Sequence, residues 1–163
     1  MRELSALWPD APRVGPPDAF PPYRFLSALH PHPVRDPAGH SHGKAEPSWT
    51  NDEAFRRGID LYHAGYLWES HEAWEGVWKA STDPYERAVL QALIQLAAAL
   101  IKAHVGRLRG TASLAAAARG RLAFAATRLA RYRDVDIVAL IDAVDRCFTD
   151  PATAWERAPR LLP

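Results

Sequence analysis

An all-α fold, a compact array of about five helices crossed by an extended N-terminal strap, is what the sequence predicts. From Thr50 onward apolar residues recur at three- and four-residue spacing, and no period-two strand pattern competes with them. Helix caps and stop residues punctuate that pattern at helical lengths. Residues 1–49, in contrast, hold ten of the fourteen prolines and lack helical periodicity. The expected organisation is a Pro/His-rich strap over 1–49, packed on a helical domain over 50–163.

The strap contains Pro-Pro at 16–17 and at 21–22, which favours an extended path. Trp8, Phe20, Tyr23, Phe25 and Leu26 supply apolar anchors, so order is expected at least from Pro21 onward. A disordered tail over 1–18 is the competing reading. Thr50-Asn51-Asp52-Glu53 has the spacing of a capping box, and a first helix through Phe55, Ile59 and Tyr62 should stop near Gly65. A second helix spans about Tyr66 to Ala80. Asp83 as cap with Pro84 at the first helical position opens a third, running to about His104 and apolar on most sides. A fourth is expected from a Thr111 cap to about Arg131, with Arg119, Arg121, Arg128, Arg131 and Arg133 giving it a basic face. A fifth runs from an Asp136 cap to Phe148, and a turn is expected around Trp155.

The chain has 163 residues, enough for one domain with a real core. Its formal net charge of +1 argues against nucleic acid or a membrane surface as partner. The longest apolar stretch, Ala88 to Ile101, is interrupted by Gln91 and Gln95 and is shorter than the ~20 residues a membrane span needs. No signal peptide is visible, and the single cysteine, Cys147, rules out an internal disulfide; both fit a cytoplasmic protein. The apolar helices allow a homodimer without requiring one.

The candidate chemistry centres on Tyr66 to Trp78, which carries three tryptophans, three glutamates and one histidine. At about 100° per residue, Trp68, His71, Glu75 and Trp78 share a helix face, with Glu72 at its edge. An aromatic stripe should face the core, and ionisable groups there need a partner, a proton or a metal. His71 and Glu75 have the i,i+4 spacing that lets two side chains reach one ion. The alternative is a His–Glu hydrogen bond that merely fixes one helix against another. Gln91 and Gln95, one turn apart on an apolar helix, need polar partners, and the His71/Glu72/Glu75 face is the most economical one. His104 could add a ligand or simply interact with its own helix end. The arginines of the fourth helix are either a solvated face or an attractor for an acidic ligand. Four of the seven histidines, His30, His32, His40 and His42, lie in the Pro/Gly-rich loop 30–43, at a density that suits a transition metal.

These residues resemble the domain of unknown function 309, a family of small helical bacterial and archaeal proteins with a His-x-x-x-Glu-x-x-Trp hallmark. Here the hallmark is His71, Glu75 and Trp78, preceded by Gly65 to Ser70 and followed by the Gln-bearing helix Leu90 to Ala97. The match covers about residues 54 to 115. Ser70 and Ala92 stand where family members often have Ala and Gly. The strap, from Pro21-Pro22-Tyr23-Arg24 to Gly39-His40-Ser41, looks like an N-terminal extension found in part of the family. The resemblance implies an all-α fold and no established activity.

Two functions fit. In the first, a hydrolase uses His71, Glu75 and Glu72 for catalysis, and His71, Glu75, His32 and His40 for a divalent transition metal such as zinc. Gln91, Gln95, Trp68 and Trp78 then orient those groups or bind a small-molecule ligand. In the second, a non-catalytic helical module uses a buried His–Glu–Gln network for specificity. It meets partner proteins through the fourth helix or the Pro-rich N-terminus.

Overall fold

Thr50 opens the helical part as its capping box demands: its hydroxyl accepts the Glu53 N–H at 3.2 Å, and the Glu53 carboxylate accepts the Thr50 N–H at 2.8 Å. The computed structural model describes residues 2–45 and 47–162. Five α-helices follow one another: α1 (Asn51–His63), α2 (Leu67–Ala80), α3 (Pro84–His104), α4 (Leu108–Ala126) and α5 (Ile137–Cys147). A hairpin of β1 (Arg131–Tyr132) and β2 (Val135–Asp136) lies between α4 and α5, and a 3-10 helix, Pro151–Arg157, follows α5. The fold is all-α, as expected. No helix is long and apolar enough to cross a membrane among the described residues.

The apolar character of α3 makes it the centre. It packs against α2, α4 and the 3-10 helix, burying Val89, Leu90, Leu93, Leu96, Ala97 and Leu100. α4 offers α3 a seam of Ala115, Ala118, Leu122 and Ala125, whose three- and four-residue spacing and small side chains permit close approach. α1 reaches the core through α2. The Tyr62 hydroxyl donates to the Pro159 carbonyl, and His63 Nε2 accepts the Leu161 N–H, so the C-terminal segment closes over the end of α1.

Two expectations about α4 need correction. It starts at Leu108, because the Thr111 hydroxyl turns back on the Arg107 carbonyl at 3.1 Å instead of capping. It stops at Ala126, so Arg131 and Arg133 belong to the hairpin. Two residues per strand are too few for alternation to show in the sequence. Arg133 sits in the turn at φ 51°, and its guanidinium pairs with Asp52 and lies 5.1 Å over the Phe55 ring. The remaining arginines are partly absorbed: Arg119 pairs with Asp145 of α5 at 3.0 Å.

The strap is seated well before Pro21. Leu4, Phe25 and Leu26 are buried. A buried pair on α1, Arg57 and Asp60, anchors the strap through its backbone. Arg57 donates to the Asp18 and Ala19 carbonyls, and Asp60 accepts the Val14 and Gly15 N–H groups at 2.8 and 3.0 Å. Gly15 lies so close that a Cβ would meet the backbone of Arg57 at 2.7 Å.

Candidate functional site

The core face of α2 is Leu67, Ser70, Trp74 and Val77. This corrects the expected orientation by about one residue. Trp74, not Trp68 or Trp78, is the fully buried indole, and its N–H donates to the Phe55 carbonyl at 3.2 Å. Gly58 of α1 makes the room, since a Cβ there would run into the Trp74 ring. Turning Trp74 inward carries the ionisable stripe outward, which spares its charges the cost of desolvation. His71 and Glu75 accordingly have side chains 31% and 35% exposed.

That outward stripe still converges. One ligand atom each from His71, Glu72 and Glu75 lies within 4.8 Å of the others. His71 Nδ1 stands 3.1 Å from Glu72 Oε1, and this hydrogen bond holds the Glu72 carboxyl below its ordinary range. Lys79 closes one end of the stripe, with Nζ 3.3 Å from Glu75.

One turn earlier the strap buries a second pair. Glu69 Oε1 accepts the Phe25 N–H at 3.3 Å and stands 3.2 Å from His40 Nε2, with both side chains 6% exposed. The other oxygen, Oε2, is buried without a partner. Burial pushes the Glu69 carboxyl up to about 7 and the His40 imidazole down. His40 Nδ1 meets the Ser41 hydroxyl at 2.8 Å, so both ring nitrogens are engaged. Between strap and α2 lies a cleft of about 560 Å³, lined by His40, Trp49, Trp68, Glu69, Glu72 and Glu75.

The structure therefore brings His40 and Trp68 to the expected stripe, but in other roles than a ligand shell would give them. His32 reaches the same region, its ring 5.3 Å from Trp68. Its Nδ1 accepts the Val34 and Arg35 N–H groups at 3.3 Å each, which places the ring proton on Nε2. With that tautomer His32 presents a donor toward α2 and no lone pair for an ion. Gln91 and Gln95 do not face the stripe. Gln95 Oε1 accepts Arg121 Nε–H at 3.2 Å, and Gln91 lines a different groove with Trp78, Arg121 and Phe124. α3 turns these amides toward α4 because α2 offers it apolar surface instead. Trp78 carries the Arg87 guanidinium 4.2 Å over its ring, and His104 is taken up by the Arg2 carbonyl at 2.8 Å.

Sequence reasoning missed Glu69 and Trp49. The first left a trace: Glu69, Glu72 and Glu75 recur at three-residue intervals and so form one stripe. Trp49 left none, since it precedes the first helix in a loop.

The hallmark histidine and glutamate thus share one exposed cluster, with Trp78 turned to the neighbouring groove. Residues 55–114 match the family model described as Domain of unknown function (DUF309). No curated protein and no solved structure matches the chain. The DUF309 stretch runs from Phe55 in α1 into α4 and holds His71, Glu72 and Glu75. His32, His40 and Trp49 lie outside it, so one wall of the cleft is DUF309 sequence and the other is the strap.

Proposed function

We propose that the cleft between the strap and α2 binds a divalent transition metal and uses it for hydrolysis. The observation that carries this reading is the approach of His71, Glu72 and Glu75 to within 4.8 Å of one another. A His and two carboxylates are donors that zinc accepts, and three protein ligands leave a position open for water. Glu69, one turn before Glu72 and held by His40, is the general base of this scheme, taking a proton from the attacking water. His32 contributes a donor, and Trp68 a wall that limits water.

A second reading is favoured by the burial of the Glu69–His40 pair. Here the pair only fastens the strap, and the protein is a non-catalytic module. One experiment separates them. The full chain, purified without a His tag, is analysed for metals and titrated with zinc against a chromophoric chelator. The hydrolytic reading expects one zinc per chain, with affinity falling about 100-fold or more in His71→Ala and in Glu75→Gln. Wild-type protein that binds no zinc in competition with the chelator removes the metal site and leaves the strap fastener.

A further inference from the structure

The wall of the cleft is chemically one-sided. Glu69, Glu72 and Glu75 line it together with Trp49 and Trp68, and the one lysine there, Lys79, is already paired with Glu75. An acidic ligand would meet three carboxylates. A hydrophobic ligand would leave them desolvated and unpaired.

Glu69 sharpens the point. Its side chain is 6% exposed, and its Oε1 is taken by the Phe25 N–H and His40. Oε2 has no partner at all, although a buried carboxylate oxygen ordinarily finds one. What is missing is a hydrogen-bond donor, and beside the other two carboxylates a positively charged donor is favoured. The indoles of Trp49 and Trp68 attract the same charge through their ring faces. Lys79 on Glu75 shows that an alkylammonium suits this surface at its outer end.

We propose that the cleft takes a ligand carrying a primary ammonium group, seated on the unpartnered oxygen of Glu69 between Trp49 and Trp68. The inference rests on this cleft being the functional site, but not on the ion. It makes the substrate class an amine, with the ammonium held at Glu69 and the remainder directed toward His71 and Glu72. A free alkylamine, a peptide N-terminus and a lysine side chain share this chemistry.

The test is a titration of ¹⁵N-labelled full-length protein in chelator, read on the indole N–H signals of Trp49 and Trp68. The probes are pentylamine, leucinamide and Nα-acetyl-lysinamide, with pentan-1-ol and pentanoate as neutral and anionic controls. At least one amine is expected to shift both signals saturably while the controls do not, and the best amine names the source. Glu69→Gln should weaken that binding about tenfold or more, the cost of one charge-assisted hydrogen bond. Trp49→Leu, which leaves the buried pair untouched, should weaken it several-fold and serves if the first variant fails to fold. Equal shifts with pentan-1-ol, no saturable shift with any amine, or amine binding unchanged in the folded variants overturns the proposal. Because the titration is metal-free, its outcome is independent of whether zinc binds in the preceding experiment.

Discussion

Glu69→Gln offers the most direct reading of the buried pair through stability alone. Burial holds the Glu69 carboxyl at about 7, against an ordinary glutamate near 4.5. Phe25 N–H and the Arg24 guanidinium, both from the strap, pull it down, and Glu72 on its own helix pushes it up, but burial dominates. Between those two values the folded chain binds more protons at this site than the unfolded chain does. The contribution of Glu69 to stability therefore falls as pH rises through the window and is level above it. Between pH 5 and pH 8 the loss amounts to about 2.5 kcal/mol. The wild-type curve alone would conceal it. His63, which burial pushes down to about 4, has the opposite sign below its ordinary 6.5 and offsets much of the slope there. His40 is lowered by burial and by Lys44, so its effect carries over into the variant. The difference between the two proteins isolates Glu69. Urea unfolding in chelator, followed by tryptophan fluorescence from pH 5 to pH 8, should show Glu69→Gln gaining about 2.5 kcal/mol on wild type, or roughly 5–10 °C in midpoint temperature. Stability differences that stay constant within about 0.5 kcal/mol across that range would refute the account of a desolvated carboxyl at the strap contact.

Two further outcomes test the packing. Gly58→Ala places a methyl group in the Trp74 ring and should cost about 1–3 kcal/mol by forcing α1 and α2 apart, measured by the same unfolding assay; a neutral result would mean that the indole is free to move. Cys147 is fully buried, and burial pushes its thiol up to about 12, so the native protein should resist Ellman's reagent at pH 8 and react fully once unfolded. Fast labelling of the folded chain would show that α5 opens readily.

Much of the fold could be read before any coordinates, and the reason is local. The cap at Thr50 and the Asp83-Pro84 start of α3 depend on backbone groups within three residues of the signal, and both stand where they were expected. The hairpin escaped notice because its strands are shorter than one full alternation. The Arg57–Asp60 anchor escaped because charged residues inside an amphipathic helix normally read as its solvent face.

The candidate site divides the same way. By itself the sequence determined that His71, Glu72 and Glu75 would lie together, since helical spacing alone places them on one stripe. It also determined that a histidine-rich strap would accompany them. Which way that stripe faces was decided by tertiary structure. Two competing indoles, Trp74 and Trp78, lie a turn apart, and only the gap left by Gly58 on another helix selects Trp74 for the core. The same packing seats the strap over Glu69, buries one of its oxygens without a partner, and turns Gln91 and Gln95 away toward α4. Spacing along one helix is a property of that helix. The side it shows to the core is settled by the shape and charge of the surfaces that close around it.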